Sequence, residues 1–307
     1  MKRLTPSELK EKINFLKKEK NAVILAHNYQ LGEIQDIADF VGDSLELSFK
    51  AAESSADIII FCGVTFMAET AALLSPDSKV LLPNMEAGCP MADMAETPDV
   101  SAMKEKYPDA LVVTYVNSSA AVKALTDICV TSANALKIVA SLPKDKEILF
   151  LPDKNLGAYI QRETGKKMIL WDGFCPTHMR IGSEDILRRK KEDPTAVVMV
   201  HPEAPLDVID LADAVLSTGG MLRYAKETDA EKIIVATEVG IIHRLSKENP
   251  DKQFIPVSEQ AICPTMKQTR LEDLLESLHK EQYEIKIPEE IAEKAKASII
   301  KMLEASV

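Results

Sequence analysis

The sequence predicts an α/β fold of three homologous α-β-α domains related by pseudo-three-fold symmetry, each with a small parallel sheet, enclosing a central site. Three observations predict it. Apolar runs of strand length alternate with helix-length segments, the pattern of parallel sheets with helical crossovers. The alternation begins three times, and each opening strand ends in a polar cluster led by His27, Tyr115 or His201, at separations of 88 and 86 residues. Each round closes on Cys-Pro, with Cys89, Cys175 and Cys263 separated by 86 and 88 residues. Periods this long are domain-sized, so the pattern is a triplication and not a solenoid. It divides the chain into repeats at 1–88, 89–174 and 175–266, with a tail, 267–307, expected to pack on the first.

The elements follow in order. Thr5-Pro6-Ser7-Glu8 reads as a helix start with Thr5 as cap and Glu8 reaching back, and Leu9, Ile13 and Leu16 share one face of that helix. Val23–Ala26 is a buried strand ending in His27-Asn28-Tyr29-Gln30, and a helix is expected to lead from there to Asp39, Asp43 and Ser44. Strands at Ile58–Phe61 and Val80–Leu82 flank a helix through Met67–Leu74. After a helix at Pro98–Lys106, the second round has strands at Leu111–Thr114, Ile148–Leu151 and Met168–Leu170. After a helix at Ser183–Lys191, the third has strands at Val197–Val200, Ile233–Val235 and Phe254–Ile255. Thr269 to Glu272 is expected to cap a helix through His279, and a last helix runs to Glu304.

The rounds match at fixed offsets. Two residues after each leading polar residue stand Tyr29, Asn117 and Glu203; seventeen residues after it stand Ser44, Ser132 and Thr218. Each of those hydroxyls follows an aspartate by five residues: Asp39, Asp127 and Asp213. Chance likeness between α/β units would give the strands, but not a hydroxyl, an aspartate and a Cys-Pro in register.

Bulk properties narrow the function. The chain has 307 residues, 46% hydrophobic and 28% charged, as in globular proteins of more than one domain. A net charge of −11 argues against nucleic acid or an anionic membrane surface as partner. There is no 18-residue apolar run, and the amino terminus reads as a charged helix rather than a signal peptide, so a cytoplasmic location is expected. Five cysteines in a reducing compartment leave metal binding, catalysis or core filling.

A three-fold arrangement would bring Cys89, Cys175 and Cys263 together at the centre. Three converging thiolates repel one another unless a metal neutralises them. Three cysteines on a [4Fe–4S] cluster leave one iron open, which suits Lewis-acid chemistry; three on zinc with an open position is the competing reading. Cys129 occupies the repeat position of Val41 and Val215, and Cys62 lies in an apolar strand, so both read as packing.

The remaining chemistry sits at strand ends and helix starts. His27, Tyr29, His201 and Glu203 are acid–base candidates, with Tyr115 and Asn117 at matching positions. Ser44, Ser132 and Thr218, with Ser217 adjacent, could bind carboxylate or phosphate at helix starts, or be ordinary caps. His178 could support the metal or simply begin a helix; His243 and His279 read as helix residues. The turns at Asp153–Gly157 and Thr237–Gly240 could line the same centre. GxxxxGK[ST], a strand-borne GxGxxG and a CxxxCxxC run are all absent, which disfavours nucleotide-driven, dinucleotide and radical-cluster chemistry.

The strings AHNYQ…QDIADFVGDS, CPMA, YVNSS, CVTSANA, PDKNLG, CPTH, VHPE, STGGM and TEVGIIH together resemble the quinolinate synthase family of de novo NAD biosynthesis, over about residues 20–302. The resemblance implies a transferase that condenses iminoaspartate with dihydroxyacetone phosphate to quinolinate, phosphate and water. It implies a [4Fe–4S] cluster on Cys89, Cys175 and Cys263. His27 and Ser44 would hold one substrate carboxylate, with His201, Ser217 and Thr218 near the other. Tyr29 and Glu203 would move protons, Tyr115 and Asn117 would order the intermediate, and Ser132 would bind phosphate or carboxylate. An aspartate oxidase or dehydrogenase is the expected functional partner. A zinc lyase or hydrolase on the same cysteines, and a non-catalytic iron–sulfur sensor, are the rival readings.

Overall fold

The computed structural model describes residues 4–307; Met1–Arg3, the first residues of the expected charged amino-terminal helix, lie outside the described residues. Twelve strands form three four-stranded sheets. The first holds β1 (Ala22–His27), β2 (Phe40–Gly42), β3 (Ile58–Cys62) and β4 (Lys79–Leu81). The second holds β5 (Leu111–Tyr115), β6 (Ile128–Val130), β7 (Ile148–Leu151) and β8 (Met168–Leu170). The third holds β9 (Val197–Val200), β10 (Ala214–Val215), β11 (Lys232–Ala236) and β12 (Gln253–Pro256). Their orders are β2-β1-β3-β4, β6-β5-β7-β8 and β10-β9-β11-β12, with every pair parallel. The three sheets therefore share one topology.

That order puts a topological switch at the opening strand of each sheet. The chain leaves β1 to one side for β2 and returns on its other side as β3, and ligands bind beyond the carboxyl ends of strands at such a point. His27 and Tyr115 end β1 and β5, and His201 follows β9 directly.

Alternate strand residues face opposite layers, as the pleat requires. Leu25, Val113 and Met199, with Ile59, Phe61, Phe150, Ile233 and Val235, enter one apolar cluster shared by all three repeats. The residues between them pack outward: Ile24 and Ile60, Val112 and Leu149, and Val198 and Ile234 join three separate clusters, one per repeat. Polar contacts tie the repeats laterally. Glu69 accepts the Ala120 N–H at 2.8 Å, Asn155 Nδ2 donates to the Glu203 carbonyl at 3.0 Å, and Arg244 Nη1 donates to Asn28 Oδ1 at 2.9 Å.

The three repeated aspartates are explained by the backbone. In each sheet the carboxylate accepts an N–H of the opening strand at 2.8 Å: Asp39 from Ile24, Asp127 from Val112, Asp213 from Val198. The same aspartate's own N–H returns to that residue's carbonyl at 2.9 to 3.0 Å. Each clamp closes the path from the opening strand to the short edge strand.

Several elements differ from expectation. The helix expected between Gln30 and Asp39 is a single turn, Gly32–Gln35, and the strand β2 follows it. Edge strands of two or three residues are too short to show a periodicity, which is why β2, β6 and β10 escape a pattern reading. The capping box Thr5–Glu8 is present. The helix expected to be capped by Thr269 begins at Leu271, with Asp273 accepting the Arg270 N–H at 2.8 Å. The tail divides between two repeats instead of lying on the first alone. Helix Leu271–Lys280 packs on helix Pro6–Glu19, and Glu284 bridges antiparallel to Leu81 in the first sheet. Helix Glu289–Glu304 then crosses to the second repeat, where Ser298 Oγ donates to the Lys123 carbonyl at 3.0 Å. The apolar face of Ala295, Ile299 and Met302 completes the shared central cluster, which draws the helix there. Among the described residues no helix is long and apolar enough to cross a membrane.

The clamps give a first prediction. Asp213→Ala removes a charged acceptor from a strand amide, and because the side chain is exposed the expected cost is about 1 kcal/mol. A denaturant midpoint unchanged from the parent would contradict the clamp.

Candidate active site

The opening-strand ends of the three sheets line one cavity of about 70 Å³. Its walls carry His27, Tyr29 and Ser44 from the first repeat, Tyr115, Asn117 and Ser132 from the second, and His201, Glu203 and Thr218 from the third. Cys89, Cys175 and Cys263 line the same cavity, and none of the five cysteines forms a disulfide. A far larger hollow, about 1150 Å³, is an open groove beside helices Pro6–Glu19 and Leu271–Lys280 and holds none of these residues. Size does not select the site; convergence of matched polar groups from three repeats does.

Local backbone fixes the two strand-end imidazoles alike. The Tyr29 N–H donates to His27 Nδ1 at 3.1 Å, and the Glu203 N–H donates to His201 Nδ1 at 3.4 Å. An Nδ1 that accepts must be bare, so in the neutral ring the proton sits on Nε2. His201 Nε2 lies 3.2 Å from Ser132 Oγ. Burial holds both imidazoles down to about 3, so both are neutral donors at physiological pH.

Glu203 is the centre of the polar network. Its side chain is buried, and it accepts from Tyr115 Oη at 2.6 Å through Oε1 and meets His178 Nδ1 at 2.8 Å through Oε2. Burial pushes this carboxyl up, but the neighbouring His178 and the hydrogen bonds from His178 and Tyr115 oppose it, and the net shift is downward. The carboxylate is held ionised. Burial, reinforced by Glu203, pushes the phenols of Tyr29 and Tyr115 well above their ordinary range, which keeps both protonated.

A continuous chain joins these groups. Tyr29 Oη lies 2.5 Å from Thr237 Oγ1, Thr237 Oγ1 lies 2.8 Å from His178 Nε2, and His178 Nδ1 reaches Glu203. His178 Nδ1 is also 3.2 Å from Cys175 Sγ, and its ring stacks on His201 with centroids 4.8 Å apart. Sequence reasoning left His178 and Thr237 open because neither side chain is repeated: Ala92 and Met266 stand three residues after the other cysteines, and Gly63 and Pro152 stand where Thr237 does.

The helix-start hydroxyls divide. Ser44 and Thr218 are the first residues of helices Ser44–Ala52 and Thr218–Glu227, while the residue before each is the cap. Asp43 caps the first helix by accepting the Leu45 and Glu46 N–H groups at 3.0 and 2.9 Å. Ser217 caps the other, accepting the Gly220 N–H at 3.1 Å and donating to Asp43 Oδ2 at 3.2 Å, so its hydroxyl is engaged by the helix and by Asp43 of the cavity wall. Ser132 sits in the turn before helix Ala135–Ser141. Thr218 Oγ1 accepts from Asn28 Nδ2 at 2.9 Å, which joins the first and third repeats behind the cavity. Asn117 lines the cavity, and its Oδ1 is buried without a hydrogen-bond partner among the described residues.

The chain is similar to known proteins over nearly its whole length. The family described as "NadA: Quinolinate synthetase A protein" matches residues 11–304. A quinolinate synthase of Dehalococcoides mccartyi is 57% identical over 298 residues, covering 97% of this chain and 98% of the relative. One of Geotalea uraniireducens is 52% identical over 296 residues, 96% and 97% of the two chains. "Quinolinate synthase 1" of Methanosarcina acetivorans is 51% identical over 301 residues, 98% and 99% of the two. With three parallel sheets converging on one cysteine-lined cavity and matches of this extent, the chain belongs to the quinolinate synthase family.

Proposed function

We propose that this protein condenses iminoaspartate with dihydroxyacetone phosphate to quinolinate, phosphate and water, with a [4Fe–4S] cluster held by Cys89, Cys175 and Cys263. The observation that carries the reading is that cysteines closing three separate repeats line one cavity with the strand-end pairs of all three. The donor set fits such a cluster: three thiols from the loops that close the three rounds, with no fourth cysteine at the cavity, would leave one iron open. When bound, the cluster supplies a Lewis acid that polarises a substrate hydroxyl or the forming ring nitrogen. Burial pushes the Cys89 thiol up to about 12 and Cys175 above its ordinary range, so loading the site releases protons.

The side chains then divide the work. The neutral Nε2–H groups of His27 and His201, with Ser44, Ser132 and Thr218, donate to substrate carboxylates and phosphate. Ser217 supports this site as a cap, holding Thr218 in place. Glu203, ionised and tethered by Tyr115, takes a proton from carbon during ketose–aldose isomerisation and dehydration. Tyr29, protonated, returns one, and the His178–Thr237 bridge connects the two. Asn117 and Tyr115 order the intermediate. The narrow cavity limits the water that reaches imine and enamine species. Because iminoaspartate hydrolyses readily, an aspartate oxidase or dehydrogenase must supply it, and a cytoplasmic site suits that coupling.

One observation favours a second reading. Ligand atoms of Cys175, His178 and Glu203 lie within 4.8 Å of one another, a set able to hold a single zinc ion. The 2.8 Å separation of His178 Nδ1 from Glu203 is, however, a hydrogen-bond distance, with the nitrogen as donor.

Anaerobic purification with a visible spectrum, iron count and quinolinate assay tests the proposal. About four irons per chain and quinolinate formation are expected, and Cys175→Ala should lose the iron. Zinc in place of iron, or full iron in Cys175→Ala, would overturn it. Tyr29→Phe should keep its iron while turnover falls about 10²-fold or more; unchanged turnover would remove Tyr29 from the chemistry. In ¹⁵N spectra of the metal-free protein, the rings of His27 and His201 should stay neutral from pH 8 to about 5, because their shift to about 3 puts protonation below that range. A midpoint above 6 in either would contradict the buried, Nδ1-accepting geometry.

A further inference from the structure

Two residues past the third strand in chain order of the second and third sheets stands a buried carboxylate, Asp153 after β7 and Glu238 after β11. Both divide their oxygens in the same way. Asp153 Oδ1 accepts the Leu156 N–H at 2.7 Å, capping helix Lys154–Thr164, and Oδ2 accepts the Cys175 N–H at 3.2 Å. Glu238 Oε2 accepts the Gly240 N–H at 2.7 Å, and Oε1 accepts the Cys263 N–H at 3.2 Å. One oxygen fixes the turn that leaves the sheet; the other fixes the loop that carries the cysteine. Close packing supports both. A Cβ at Gly173 would lie 2.3 Å from the Pro152 carbonyl oxygen, and one at Gly240 2.6 Å from the Tyr29 carbonyl oxygen, so both loops press against their neighbours. Lys267 reaches Glu238 at 3.0 Å and also donates to the Tyr29 carbonyl, joining the Cys263 loop to the first repeat. The first repeat has Val64 at the matching position; there Thr65 N–H and Oγ1 donate to the Ala87 carbonyl at 2.8 and 3.2 Å, a neutral tether.

We propose that Asp153 and Glu238 are positioning residues that set the Cys175 and Cys263 backbones before any metal arrives. This deepens the cluster reading and rests on it for the ligand that the loops receive. Three cysteines on three separate loops must meet one cofactor, and a ligand loop left loose loses affinity through the ordering it must undergo. A carboxylate is the group that can serve both partners, because it accepts at two oxygens; an amide at the same position accepts at one.

The test uses Asp153→Asn and Glu238→Gln, which keep shape and one acceptor. Hydrogen exchange is measured on cluster-free full-length protein, and iron release to a ferrous chelator on anaerobically reconstituted protein. Exchange about tenfold faster is expected in the segment around Cys175 for D153N and around Cys263 for E238Q, each confined to its own loop. Iron release should quicken severalfold in both. Asp172→Asn, at an exposed neighbour paired with Lys154, should change neither. Unchanged exchange in both segments would overturn the proposal; if D153N does not fold, E238Q carries the test at Cys263. Faster exchange in a protein whose parent takes up no iron would overturn the role toward the cluster, and would mark failure of the cluster reading and not of the anchors.

Discussion

One apolar layer shared by three parallel sheets is the constraint on which the rest depends. Strand residues alternate between that layer and a separate outer cluster on each sheet. A sheet shifted by one residue would bury its outward set in the centre and turn its inward set out. The fixed inward face therefore sets where each opening strand ends, and the common order β2-β1-β3-β4 puts the switch point at that end. The aspartate clamps at Asp39, Asp127 and Asp213 hold the return to each edge strand. The cavity follows from that packing.

The chemistry of the cavity comes from what burial does to each group. Two imidazoles are kept neutral and turned by a backbone N–H so that Nε2–H is the donor. Two phenols are kept protonated, and one carboxylate stays ionised because His178 and Tyr115 satisfy it. Donors for anions, an acid and a base thus coexist within a few ångströms without a large net charge. An unpaired Glu203 in this place would cost several kcal/mol in desolvation, so its tethers are part of the site's stability as well as its function.

What the sequence revealed depended on repetition. Cys89, Cys175 and Cys263, and the pairs led by His27, Tyr115 and His201, stood out because each had two partners at a matching offset. The aspartates stood out for the same reason, although their role is in the backbone. His178, Thr237 and Asn28 have no counterparts, so their contacts with Cys175, Tyr29 and Thr218 could not be read from spacing. The edge strands were too short for periodicity, and the tail was misplaced because Ala295, Ile299 and Met302 meet the central cluster from the second repeat. Ser217 looked like a ligand for substrate because a cap and a binding hydroxyl are the same residue type one position apart.

Anomalous diffraction at the iron edge, on anaerobically grown crystals of the holoprotein, tests the central claim most directly. The expected result is one compact four-iron peak bounded by the sulfur atoms of Cys89, Cys175 and Cys263, with no cysteine on the fourth iron. A single metal ion on Cys175, His178 and Glu203, with Cys89 and Cys263 unligated, would contradict it.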